Sequence, residues 1–276
     1  MSKVPSLTLN NGVEMPQLGF GVWQVPDDEA TAAVGTALEA GYRSIDTAAI
    51  YGNEEGTGRA LASSGIARDE LFVTTKLWND KQGYDSTLRA FDESLGKLGL
   101  DYVDLYLIHW PVAPKGTFVD TFKAFEKILS DGRAKAIGVS NFYPEYLETL
   151  LAETSVVPAV NQIELHPQFQ QAESRAFHAK HSIATEAWSP LGQGKGLLEV
   201  PTVLAVARKH GKTPAQAVLR WHLQLGNVVI PKSVTPSRIA ENIDVFDFEL
   251  DADDMAAFAA LDEGKRLGPD PAVFGA

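Results

Sequence analysis

The chain has 276 residues, 45% hydrophobic and 22% charged, a balance that suits a globular protein with a sizeable buried core. Its 24 basic against 36 acidic residues leave a formal charge of −12, a field that repels nucleic acid and anionic membrane surfaces. There is no cysteine, so disulfides and thiolate chemistry are excluded and a reducing compartment fits.

In chain order, Ser6–Leu9 and Val13–Met15 read as a hairpin about the turn Asn10-Asn11-Gly12. From there strands and helices alternate. Strand Gln17–Gly21 precedes helix Asp28–Ala40, which opens on acidic residues and closes at Gly41. Strand Arg43–Asp46 leads to helix Glu54–Ser63, strand Leu71–Leu77 to helix Tyr84–Leu98, and strand Val103–Ile108 to helix Val119–Ser130. Strand Ala136–Val139 leads to helix Tyr143–Ala152, and strand Ala159–Ile163 to helix Ala172–His181. Strand Ile183–Glu186 is followed by two helices, Pro201–His210 and Pro214–Leu225. The last strand, Val228–Ile230, precedes helix Pro236–Asn242 and a final helix, Ala252–Leu261.

About eight strand–helix units at this spacing predict parallel β-α-β crossovers. The Gly-x-Gly-x-x-Gly turn of an open dinucleotide-binding sheet is missing after the first strand, which favours a closed (β/α)8 barrel. We therefore expect one α/β domain, residues 1–276: a (β/α)8 TIM barrel with an N-terminal β-hairpin and extra helices near the C-terminus. The start of the chain lacks the apolar core of a signal peptide, and no run approaches the ~18–20 apolar residues of a membrane span. A cytoplasmic monomer is the expectation, since no interaction segment stands out.

Barrel chemistry is assembled at the C-terminal ends of the strands. There the sequence places Asp46, followed by Tyr51; Lys76 and Trp78; His109 and Trp110; Ser140 and Asn141; Gln162 and Glu164; Glu186, Trp188 and Ser189; and Lys232 with Ser233. Taken singly, Asp46 suits a turn cap, Lys76 a rim residue with its head in water, His109 a hydrogen-bonded core histidine and Tyr51 a loop residue. Together, an acid, a phenol, an ammonium and an imidazole at neighbouring strand ends suit carbonyl reduction, which needs a proton donor for the developing alkoxide. A phenol with a pKa near ~10 is a weak acid, and a nearby ammonium lowers that value. Tyr51 is then the acid, Lys76 its tuner, Asp46 the anchor of the lysine and His109 the donor that orients the carbonyl.

Several of these stretches carry a resemblance. Ile45-Asp-Thr-Ala-Ala-Ile-Tyr51-Gly-Asn-Glu, Thr75-Lys76-Leu-Trp and Asp104-Leu-Tyr-Leu-Ile-His109-Trp-Pro are similar to the strand-end motifs of aldo-keto reductases. So are Gly138-Val-Ser-Asn141, Asn161-Gln-Ile-Glu-Leu-His-Pro167 and the stretch from Ile230 to Asn242. The matches run the length of the chain in order, and Asn53-Glu-Glu, Gly65-Ile-Ala-Arg and Leu77-Trp-Asn-Asp most resemble the prokaryotic reductases of 2,5-diketo-gluconate type.

The resemblance implies NADPH as cofactor, bound without a Rossmann turn. It assigns Ser140, Asn141 and Gln162 to the nicotinamide carboxamide, and Trp188 to stacking on the nicotinamide ring. Gly21, Trp23, Ser189, Leu191, Gln193 and Gly194 fall within the same cofactor-binding set. Lys232, Ser233, Val234, Thr235 and Arg238 resemble a clamp on the adenosine 2′-phosphate, with Glu241 and Asn242 at the adenine. A helix start carrying cations runs against the helix dipole, which independently favours a bound phosphate there. Gly192–Gly196 lacks the Gly-Lys-Ser/Thr ending of a P-loop and is expected, by resemblance, to close over the pyrophosphate.

A small-molecule carbonyl is the expected substrate, an α-dicarbonyl, aldehyde or keto-sugar such as 2,5-diketo-gluconate. Trp23, Ile50, Tyr51, Trp78, His109, Trp110 and Asn141 are its expected contacts, while Trp221 lies within a helix and reads as core. The short Gly/Pro-rich tail, residues 264–276, suggests an open pocket. His178 and His181 have the spacing of a metal pair but no convincing third ligand, and read as surface residues without a metal. Two competing readings are a sugar aldolase or isomerase using Lys76 as a Schiff base, and a non-catalytic barrel that binds nicotinamide nucleotide.

Overall fold

The computed structural model describes residues 4–275; residues 1–3, the beginning of the segment examined above for a leader, and residue 276 lie outside it. Strands β1 (Ser6–Thr8) and β2 (Glu14–Pro16) form the antiparallel hairpin. Eight parallel strands follow: β3 (Phe20–Gly21), β4 (Ser44–Asp46), β5 (Phe72–Leu77), β6 (Val103–Ile108), β7 (Ala134–Ser140), β8 (Val160–Glu164), β9 (Ala184–Trp188) and β10 (Val228–Val229). Each pairs with its sequence neighbour, and Leu18 pairs in parallel with Val229 to join the first strand to the last. The sheet is thus closed, and the eight-unit reading holds.

The helices are α1 (Asp27–Glu39), α2 (Glu54–Ser63), α3 (Tyr84–Leu98), α4 (Phe118–Ser130), α5 (Pro144–Glu153), α6 (Ala172–Lys180), α7 (Pro201–Lys209), α8 (Pro214–Gln224), α9 (Pro236–Ile243) and α10 (Ala252–Ala259). Every helix and strand anticipated is present, with ends displaced by a few residues. The largest difference is the first barrel strand, which shortens to Phe20–Gly21, with Leu18 before it joined to Val229 by a single bridge.

Alternation along each strand decides which side chains fill the barrel. Phe72, Leu105, Leu107, Ala136, Val160 and Val228 form an interior cluster with Leu9 and Met15 of the hairpin. The hairpin is tied across the barrel base, with Asn10 Nδ2 donating to Pro158 O at 3.1 Å and Asn11 Nδ2 to Lys135 O at 2.9 Å. One end of the barrel is therefore plugged with apolar side chains. At the other end the inward set turns polar: Asp46, Lys76, Gln162 and Glu186 are all buried.

Outside the strands, Tyr106, Ile108, Ile137 and Val139 meet Phe91, Leu95, Phe122 and Phe125 of α3 and α4. Trp221 is buried in α8, as expected. His178 departs from the surface reading. It is fully buried, held between Asn161 Nδ2 at 2.9 Å and Thr185 Oγ1 at 2.9 Å. The cause is tertiary: α6 lies on β8 and β9 with that face turned inward. No metal-binding group of three or more His, Asp or Glu exists among the described residues, and no helix among them is long and apolar enough to cross a membrane.

Candidate active site

The polar end of the barrel opens into a cavity of about 1000 Å³. At its floor, Lys76 Nζ donates to Asp46 Oδ1 at 2.5 Å and to Thr47 O at 2.9 Å, with neither charged side chain open to solvent. Period-two alternation on β5 turns Lys76 inward with Phe72, while Thr75 points out to Glu54 of α2. Burial pushes the lysine pKa down, but the charge and the hydrogen bond of Asp46 lead the opposing effects, and the ammonium is held above its ordinary value. Lys76 is thus a fixed cation rather than a nucleophilic amine.

Tyr51 sits on a single 3-10 turn, Ala49–Tyr51, beyond β4, and its ring centroid lies 5.2 Å from Lys76 Nζ. The expectation of a lowered phenol pKa is half met. Burial raises it, the lysine pulls it down, and the net direction is upward because the desolvation of the phenol is the larger effect. Tyr51 is therefore a protonated phenol at neutral pH. His109 packs edge-on to Tyr51 with centroids 5.6 Å apart and to Trp78 at 5.2 Å. Burial, and then the charge of Lys76, hold its pKa well below 6.5, so the imidazole is neutral. Three strand ends thus bring the four residues together.

Around them a hydrogen-bonded rim is already formed. Ser140 Oγ donates to Gln162 O at 2.7 Å, Asn141 Nδ2 donates to Ser140 Oγ and to His109 O, and Trp188 Nε1 donates to Asn141 Oδ1 at 2.8 Å. Asn141 adopts the left-handed region (φ 64°), the conformation that folds its amide back against the strand end. Gln162 Nε2 donates to Asp46 Oδ2 and to Glu186 Oε2, each at 2.9 Å.

Of the residues expected at the cofactor, Gly21, Trp23, Ser140, Asn141, Gln162, Trp188, Ser189, Leu191, Gln193, Gly194, Lys232, Ser233, Arg238, Glu241 and Asn242 line this one cavity. Val234 and Thr235 do not; they sit in the exposed turn before α9, where Thr235 N bonds to Ser233 Oγ at 3.1 Å. Lys232 and Arg238 are exposed, and neither forms an ion pair among the described residues. All the expected substrate contacts, Trp23, Ile50, Tyr51, Trp78, His109, Trp110 and Asn141, also line the cavity.

The tail was expected to leave the pocket open; it lines one side of the cavity. Leu267, Gly268, Pro269 and Phe274 form part of the wall, with Phe274 4.4 Å from the Trp110 ring and 6.3 Å from that of Trp78, centroid to centroid. Buried Glu164 holds the tail by accepting from Leu267 N at 2.6 Å and Gly268 N at 2.9 Å. Its strand-end position is visible in the sequence, but the partner, a backbone segment a hundred residues away, is not.

Residues 16–263 match the model of the aldo/keto reductase family. The chain belongs to that family. An aldo-keto reductase of Mycolicibacterium smegmatis is 62% identical over 270 residues, covering 98% of each chain. Methylglyoxal reductase DkgA of Escherichia coli is 54% identical over 276 residues, covering 100% of each. Among solved structures, a mutant of Gox0644 in complex with NADPH superposes with a TM-score of 0.95 at 52% identity, covering 99% of each chain. Membership makes this chain an oxidoreductase that acts on the carbonyl–alcohol couple with NADP(H). The cavity suits such a dinucleotide on its own chemistry: unpaired cations at the start of α9, an indole at Trp188, and a Gln162 Oε1 that accepts no hydrogen bond within the described residues.

Proposed function

We propose that this aldo-keto reductase reduces small carbonyl compounds, α-dicarbonyls such as methylglyoxal first among them, with aldehydes and keto-sugars such as 2,5-diketo-gluconate in the same class. The observation that carries the reading is the buried 2.5 Å Lys76–Asp46 pair beneath a protonated Tyr51 and a neutral His109. DkgA, a methylglyoxal reductase by name, aligns over its whole length and supports the substrate class.

Bound NADPH supplies the hydride that adds to the carbonyl carbon. Lys232, Ser233 and Arg238 would hold the 2′-phosphate end at the start of α9, and Trp188, Ser140, Asn141 and Gln162 would hold the nicotinamide end. Gln193 and Gly194 would meet the phosphates between them. Neutral His109 donates a hydrogen bond to the carbonyl oxygen and fixes its direction. Tyr51 gives its phenol proton to that oxygen as the carbon accepts the hydride, and the alcohol leaves neutral. The phenolate left behind is stabilised by the Lys76 ammonium, which Asp46 keeps charged and in place, until solvent returns the proton. Trp23, Ile50, Trp78 and Trp110 form apolar walls around the reacting carbon.

A Schiff-base role for Lys76 is opposed by its burial, its two hydrogen bonds and its raised pKa, which together leave no free amine. The test follows NADPH absorbance with methylglyoxal for wild type and Tyr51→Phe. The variant is expected to bind NADPH normally and to lose turnover by at least a hundredfold, the lower range for a general acid. Retained turnover would remove Tyr51 as the proton donor.

A further inference from the structure

One carboxyl group behind the cavity wall has no part in the mechanism above. Glu186 lies on β9 directly opposite Gln162 of β8, two residues before Trp188 and therefore on the same inward face. It is fully buried. A carboxyl group placed there costs free energy unless its hydrogen bonds return it. Its Oε2 takes one, from Gln162 Nε2, and its Oε1 is buried without a partner. Buried orphan oxygens are rare enough in folded chains to need a reason.

The reason lies in what Gln162 can do once Glu186 is present. A primary amide has two N–H donors on one side and an acceptor oxygen on the other. Asp46 Oδ2 takes one of the hydrogens and Glu186 Oε2 the other. Turning the amide over would set its oxygen against two carboxyl oxygens and lose both bonds, so one orientation is permitted. Asp46 alone would not impose it. Its other oxygen is spent on Lys76, and a single bond leaves the amide able to rotate with one hydrogen free. With both hydrogens bound, Oε1 of Gln162 is left as a fixed acceptor in the wall beside Ser140 and Asn141.

We propose that Glu186 is a positioning residue: with Asp46 it locks the amide of Gln162 so that the site presents a lone acceptor to the nicotinamide carboxamide, selecting for a ring substituent that carries N–H donors. This rests on the reading in which Gln162 faces the nicotinamide. It makes the carboxamide NH2, rather than its carbonyl, the group that the β8–β9 floor discriminates.

The experiment titrates tryptophan fluorescence of the full chain with NADP+ and with its 3-acetylpyridine analogue, which keeps the carbonyl but has no N–H. Leaving the acceptor unpaired carries a penalty, so wild type is expected to prefer NADP+ by about tenfold. Glu186→Gln retains an acceptor for the Gln162 N–H and is expected to keep that preference. Glu186→Leu removes the acceptor, and the preference is expected to fall to about twofold or less, while affinity for 2′,5′-ADP stays unchanged. A Leu variant with the full preference would overturn the proposal, as would loss of the preference in the Gln variant. Equal affinity of wild type for the two dinucleotides overturns it without any variant. Wild type that binds 2′,5′-ADP and neither dinucleotide would instead bring down the nicotinamide reading beneath it.

Discussion

Gly268→Ala is a one-carbon change at the point where the tail backs the site. A Cβ there would lie 2.5 Å from Trp188 Cη2 and 3.0 Å from Glu164 Oε2. Neither neighbour yields cheaply. The indole is held by its bond to Asn141 at 2.8 Å, and the carboxylate by two backbone amides and by His166 Nε2 at 3.1 Å. Burial pushes the Glu164 pKa up, but those bonds outweigh it and keep the group ionised. The tail must therefore move away by about an ångström to reach ordinary contact, which breaks the bonds from Leu267 and Gly268. Hydrogen bonds to a charged group contribute about 1.5–3 kcal/mol each, so tail docking should weaken by about 3 kcal/mol. The loss is local, because the barrel contributes only the side chains of Glu164 and Trp188, the last residues of β8 and β9, and no ladder hydrogen bond is broken. Native-state hydrogen exchange should show the Leu267 and Gly268 amides losing protection by about a hundredfold with strand amides unchanged. The KM for a small carbonyl should rise as the Phe274 wall departs. Unchanged exchange at those two amides would refute the latch.

Lys76→Met leaves the Asp46 carboxylate buried beside an apolar chain, and breaking a buried pair in this way costs about 3–5 kcal/mol. Thermal unfolding should register a clear fall in Tm, and activity should vanish with it; an unshifted Tm would mean the pair is not buried as described. Lys232→Ala and Arg238→Ala should each weaken NADPH binding by about tenfold or more while leaving NADH nearly unaffected, since charge-assisted bonds to the 2′-phosphate are what they remove. Equal weakening of both dinucleotides in a binding titration would argue against a phosphate clamp. For pH, burial pushes His178 down to about 4, whereas an unfolded histidine titrates near ~6.5. The folded chain keeps it neutral and the unfolded chain takes up a proton below that value, so its contribution is full above ~6.5 and declines as pH falls toward 4, by about 2 kcal/mol at pH 5. Denaturant midpoints at pH 7 and pH 5 measure this, and a His178→Gln variant that declines as steeply as wild type would refute it.

The barrel was legible because its signals are local. Each strand is a short run of β-forming residues bounded by turn residues, each helix has its own start and stop, and repetition does the rest. The strand-end residues were legible for a related reason. In a closed parallel barrel every C-terminal strand end meets the same cavity, so Asp46, Lys76, His109 and Gln162 converge whatever the helices outside do.

What the sequence by itself determined, then, is the order of the elements and the identity of the polar groups at one rim. Only the tertiary structure decided which face His178 turns to, because α6 is too weakly amphipathic to announce it. Only it decided the net direction of the Tyr51 pKa, since burial and the lysine charge act oppositely and their balance depends on depth. It also brought Glu186 against Gln162 and the tail against Glu164, pairs whose partners are set by strand register and by chain closure. Local pattern reports propensity and period; desolvation and long-range hydrogen bonding exist only once distant segments are in contact.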